Sequence, residues 1–65
     1  MKVREVLRIL AQDGWVIVRT RGSHRQMKHP AKKRLVTVPG NESKDLPPKT
    51  LKSILRQAEL DLSDG

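Results

Sequence analysis

From Val3 the apolar positions fall at Val3, Val6, Leu7 and Leu10, the i, i+3, i+4, i+7 series of one helical face. The spacing predicts a first helix that stops at Asp13-Gly14, where glycine takes the left-handed conformation past the last turn. The period then changes. "WVIVRT" (15–20) is β-branched and reads as a strand, "RGS" as a tight turn, and "HRQMK" (24–28) as a second strand with Met27 its one clearly apolar position. With Met27 toward the core, period two puts His24, Gln26 and Lys28 together on the opposite face. "HPAKK" is a second turn, and "RLVTV" (34–38) a third strand ended by Pro39-Gly40. In the first strand Trp15 and Ile17 are assigned inward.

"NESKDLPP" (41–48) reads as a polar connection whose prolines suit the first turn of a second helix, where a missing N–H costs little. That helix repeats the core series at Leu51, Ile54, Leu55 and Ala58 and carries Lys49, Lys52 and Arg56 on its other side. The order α-β-β-β-α predicts an α+β fold, a three-stranded antiparallel sheet with two helices on one face and the other face in solvent. His24 belongs to that open face. Residues 1–60 form a single domain and 61–65, "DLSDG", a polar C-terminal tail.

Composition sharpens this picture in three ways. Sixty-five residues, 35% of them apolar, with Trp15 the sole aromatic, make a core so small that hydrophobic burial and chain entropy come close to cancelling. A monomer or weak dimer that gains stability from a partner is expected. The absence of cysteine excludes a disulfide framework or thiolate zinc site. The charged amino terminus, "MKVREVLRIL", is neither a secretory leader nor a membrane span, so a cytoplasmic protein is expected.

Charge narrows the partner. Fourteen Lys and Arg against seven Asp and Glu give +7, a balance that favours a polyanion. Arg19, Arg21, Arg25, Lys28, Lys32, Lys33 and Arg34 crowd residues 19–34, and no acid occurs between Asp13 and Glu42. The scattered acids lack metal-ligand spacing and no Gly-rich phosphate loop is present, so neither metal nor cofactor is expected.

Histidine transfers protons near neutrality because its unperturbed pKa is about 6.5. A neutral imidazole can take the proton of a ribose 2′-OH whose oxygen then attacks the adjacent phosphate, while cations such as Arg21, Arg25 and Lys28 stabilise the gathering charge. His29 is a poor second member of such a pair. Five residues of strand separate it from His24 by roughly 16 Å and place it on the other face, so it reads as a turn residue before Pro30. On these grounds alone the polar hairpin residue is the better reading of His24, and a non-catalytic RNA-binding module or an inactive interaction domain fits the same charge pattern.

Three blocks carry a resemblance that covers the chain up to Leu60. Helix one with "DGW", the stretch "RTRGSHRQMKHP", and "LVTVPGNESKDLPPKTLKSILRQAEL" are together similar to the HicA family of toxin ribonucleases. The resemblance implies a fold like a double-stranded RNA-binding domain and the toxin role in a type II toxin-antitoxin system. It further implies ribosome-independent cleavage of mRNA, arrest of translation and growth, and neutralisation by a HicB-like antitoxin. His24 inherits the catalytic role, and Arg21, Gly22, Ser23, Arg25 and Lys28 are the accompanying substrate-binding candidates. Four positions depart from the family's usual pattern. Asn41 stands where a second histidine is common, Lys49 where Gly opens "GTL", Met27 where an aromatic is common, and Glu59 where Gly often ends the last helix. Glu59 is expected to lengthen that helix.

Overall fold

A computed structural model describes residues 1–60; the expected tail, 61–65, lies outside the described residues. The elements are α1 (Val3–Asp13), β1 (Val16–Arg21), β2 (His24–Lys28), β3 (Val36–Val38) and α2 (Pro48–Gln57). The strands form one antiparallel sheet in the order β1-β2-β3, so the expected α-β-β-β-α architecture is present. Two strands differ in extent from expectation. β1 begins after Trp15, and β3 is limited to three residues, with Arg34 and Leu35 preceding it.

The core lies between one sheet face and the helices. Val3, Val6 and Leu10 of α1 and Ile54 and Ala58 of α2 are buried with Met27, Val36, Val38, Trp15 and Leu46. Register explains the strand contribution: Met27 pairs with Val36 and Arg25 with Val38, and directly opposed side chains share a face. Leu46 shows that the connection before α2 is not simply polar. It also caps α1. The carbonyls of Lys44 and Glu42 accept the N–H groups of Val3 and Arg4 at 2.9 and 3.0 Å, and the Leu46 N–H donates to Met1 O at 3.0 Å. First-turn donors that the helix leaves unpaired thus find partners in the loop.

The inward assignment holds for Trp15, which is 2% exposed, and fails for Ile17, which is 51% exposed. Ile17 does pair with Met27 and shares its face. Helix α2 packs at the β3 edge of the sheet, however, and β1 is the opposite edge strand, exposed along its whole length. Glu59 is a second correction. It does not lengthen α2, which ends at Gln57; Glu59 adopts φ +56°, the left-handed conformation that glycine would provide. The Leu60 N–H then closes on Leu55 O at 2.8 Å and the Glu59 N–H on Arg56 O at 3.1 Å, a glycine-type helix ending made by a residue for which it costs about 1–2 kcal/mol.

A polar knot ties the far end of the molecule together. Lys32 Nζ donates to Asp13 Oδ2 at 2.7 Å and to Ala58 O at 2.8 Å, joining the C-terminal ends of both helices. Trp15 Nε1–H donates to the same carboxylate at 3.2 Å. His29 Nδ1 accepts the Ala31 N–H at 3.0 Å, so Nε2 carries the ring proton and donates it to Asp13 O at 2.6 Å. The ring also meets Trp15 edge to face, with centroids 5.3 Å apart. Gly14 makes this contact possible, because it has φ +106° and a Cβ there would lie 3.0 Å from His29 Nε2.

Hydrogen bonding and charge from Lys32 hold the Asp13 carboxyl below its ordinary range. A carboxylate with a lowered folded-state pKa stabilises the fold above its unfolded pKa, about 3.9, and loses that contribution as pH falls through the folded value. The melting temperature is therefore expected to decline below about pH 4. Asp13→Asn should lower stability at pH 7 and flatten the acid limb; parallel melting-against-pH curves for the two proteins would refute the assignment.

Candidate functional site

The Gly-Ser-His stretch forms a two-residue hairpin. Gly22 and Ser23 connect β1 to β2, and Gly22 has φ +56°, which a glycine adopts without steric cost. So tight a loop fixes register, with Arg21 directly opposite His24. Their side chains consequently share the sheet face that the helices leave open, and His24 is exposed there.

A β-bulge brings a second arginine to that face. The pairing runs Val16 with Lys28 and Ile17 with Met27, then skips Val18 and resumes as Arg19 with Gln26 and Thr20 with Arg25. In an unbroken strand Arg19 and Arg21 would share the face of Ile17, away from His24. The extra residue reverses the parity beyond it and turns both arginines outward. Ile17 can thus stay over Met27 while Arg19 and Arg21 join Gln26 and His24.

His24 occupies the junction of three hollows. One lies on the open sheet face and is lined by Arg19, Arg21, His24, Gln26 and Thr37. A groove of about 460 Å³ runs between β3 and α2, where His24, Thr37 and Pro39 face Lys49, Thr50, Ser53, Ile54 and Gln57. The third hollow sits beside the loop before α2 and includes Ser23, His24, Lys44 and Thr50. Among the described residues no side-chain hydrogen bond engages the His24 ring. Neither of its nitrogens is committed to an intramolecular hydrogen bond among the described residues, in contrast to the fully engaged His29.

The remaining sequence candidates are placed differently. Arg25 points to the helix-bearing side and donates from Nη1 to Gly40 O at 2.8 Å and Ser23 O at 3.3 Å. Its guanidinium braces the hairpin turn against the loop after β3. Lys28 shares the His24 face but stands four residues along β2, roughly 13 Å away, where it joins Val16, Val18 and Lys33 around another hollow. Ser23 is half-buried in the turn beside His24. Lys32 is committed to Asp13 and Ala58. The acid-free window thus divides into framework cations and exposed ones.

Arg19 and Lys49 figure in the sequence only as part of its general basic charge, and Thr37, Thr50, Ser53 and Gln57 were not among the expected site residues. For two groups the signal was there. Alternation of Val36, Thr37 and Val38 sets Thr37 opposite the buried valines, and Lys49, Ser53 and Gln57 recur at four-residue steps as a polar stripe. The bulge that turns Arg19 outward has no comparable sequence mark. Among the described residues no three His, Cys, Asp or Glu side chains gather as metal ligands would, and no helix is long and apolar enough to cross a membrane.

Residues 3–60 match the family model described as HicA toxin of bacterial toxin-antitoxin. No curated protein matches the chain significantly.

Proposed function

The chain belongs to the HicA toxin family, and from that premise we propose that it is a metal-independent endoribonuclease in which His24 acts as the general base on single-stranded mRNA. The observation that carries the reading is the placement of His24, exposed, directly across from Arg21 and in one hollow with Arg19. The imidazole takes the 2′-OH proton; the 2′ oxygen forms a bond to phosphorus, the P–O5′ bond breaks, and the leaving oxygen takes a proton from water. Products are a 2′,3′-cyclic phosphate and a 5′-hydroxyl end. Arg21 and Arg19 stabilise the added negative charge on the phosphoryl oxygens. Gly22 and Ser23 serve the site by holding the hairpin, Arg25 by bracing it, and Lys28 by attracting a more distant phosphate.

A HicB-like antitoxin would neutralise the protein by covering this face, with acidic groups meeting Arg19 and Arg21. The expected cellular setting is the cytoplasm, where both mRNA and such a partner are found. A shape-reading fold like a double-stranded RNA-binding domain remains part of this proposal and accords with two helices on one sheet face.

Purified protein in EDTA is expected to cut single-stranded RNA, leave DNA intact and generate cyclic phosphate ends. A single 2′-deoxy substitution at a mapped cleavage position should block cutting there, because it removes the attacking oxygen. Cleavage that persists at the deoxy position, or that vanishes with EDTA and returns with a divalent ion, would refute the mechanism.

A further inference from the structure

Resting on the ribonuclease reading, we propose that the groove between β3 and α2 is a subsite for one unpaired RNA base flanking the scissile phosphate, and that Gln57 and Ser53 read its edge. The groove and the arginine hollow on the sheet face share His24 and Thr37. They are two arms of one track that meet at the proposed base. A strand with its reacting phosphate over His24 places its backbone near Arg19 and Arg21 on one side and enters the β3–α2 groove on the other.

The groove has the chemistry of a nucleobase site. Pro39 offers apolar surface to the flat face of a base above a floor to which the buried Ile54 contributes, while Ser53 and Gln57 present hydroxyl and amide groups to its edge. A glutamine amide both donates and accepts, the pairing that discriminates bases by their hydrogen-bond pattern. Lys49 at the same groove supplies a cation for the phosphate that follows. Trp15, the sole Trp, Tyr or Phe in the sequence, is buried in the core, so no such side chain stacks on the base. Reading the Watson–Crick edge requires an unpaired base, and the deep, narrow major groove of an A-form duplex hides the other edge from side chains, so the groove selects single strands.

The test measures binding, independently of cleavage. The full chain and its Gln57→Ala, Gln57→Glu, Ser53→Ala and Arg19→Ala variants are titrated by fluorescence anisotropy with 2′-O-methyl hexanucleotides. Four homopolymers and one duplex of equal length serve as probes; the 2′-O-methyl group leaves no proton to remove. The parent should rank the four bases. Gln57→Ala and Ser53→Ala should weaken the preferred one by about 3- to 10-fold each, the worth of a hydrogen bond, and compress the ranking. Gln57→Glu, which changes donor to acceptor while keeping the side chain's shape, should reorder it. Arg19→Ala should weaken all four alike, and duplex binding should ignore Gln57. If the Gln57 and Ser53 variants, folded by circular dichroism, bind all four homopolymers as the parent does, or if the parent binds all four equally, the groove is not a base subsite and an antitoxin segment becomes its better occupant. A parent that ranks bases through Gln57 yet never cuts RNA would instead overturn the nuclease reading and leave the subsite standing.

Discussion

A His24→Ala protein is expected to keep its fold and its grip on RNA and to cut RNA at least about 100-fold more slowly, within the 10²–10⁴-fold that general acid–base catalysis contributes. The fold should survive because His24 is exposed and makes no side-chain hydrogen bond among the described residues. Binding should survive because Arg19 and Arg21 are untouched. The loss should therefore fall on the chemical step, visible as a lowered single-turnover rate at saturating protein with little change in half-saturation. His29→Ala provides the contrast. It removes the bonds to Asp13 and Ala31 and the edge contact with Trp15, so its melting temperature should drop, while below that temperature it should cut at the parent rate. A folded His24→Ala protein that cuts at the parent rate, or a folded and inactive His29→Ala, would reverse the roles of the two histidines.

The difference between those histidines was only half legible in the sequence. Strand period and the position of Met27 were enough to set His24 on the open face and His29 off it, because alternation is a local property of the backbone. What His29 does instead depends on Asp13, sixteen residues away, and on the gap left by Gly14. No periodicity reports such a contact. Likewise the helical series at Val3, Val6 and Leu10 marked the core correctly, since one face of a helix must be apolar to pack. Ile17 looked equally apolar and is half exposed, because burial of an edge strand depends on how far the helices reach across the sheet.

The candidate site divides along the same line. Arg21 beside His24 follows from a two-residue turn, which is local. Arg19 arrives through a bulge, and Arg25 leaves through a bond to Gly40, fifteen residues on. Charge counting treated these three arginines as equivalent, whereas strand geometry sends two toward the proposed substrate and one into the framework.

Trp15→Ala should have the largest effect on stability, about 3–5 kcal/mol, and should leave the isolated chain substantially unfolded at 25 °C. Its ring is 2% exposed, packs edge to face on His29, and donates from Nε1 to Asp13. Truncation opens a cavity in a core that holds ten buried apolar residues among the described residues, and withdraws a donor from the carboxylate that also holds Lys32. A single core in a chain of this length rarely supplies more than about 3–5 kcal/mol in total, so the expected loss is comparable to the whole reserve. Ile17→Ala is the control, since a half-exposed side chain on an edge strand should cost under about 1 kcal/mol. Urea titrations followed by circular dichroism separate the two. A partner that binds only the folded chain adds about 2.7 kcal/mol at a hundred times its Kd, so an antitoxin should recover much of the Trp15→Ala fold. A Trp15→Ala protein with the parent's urea midpoint would mean that the knot of Asp13, His29 and Lys32 holds this end of the fold without the indole.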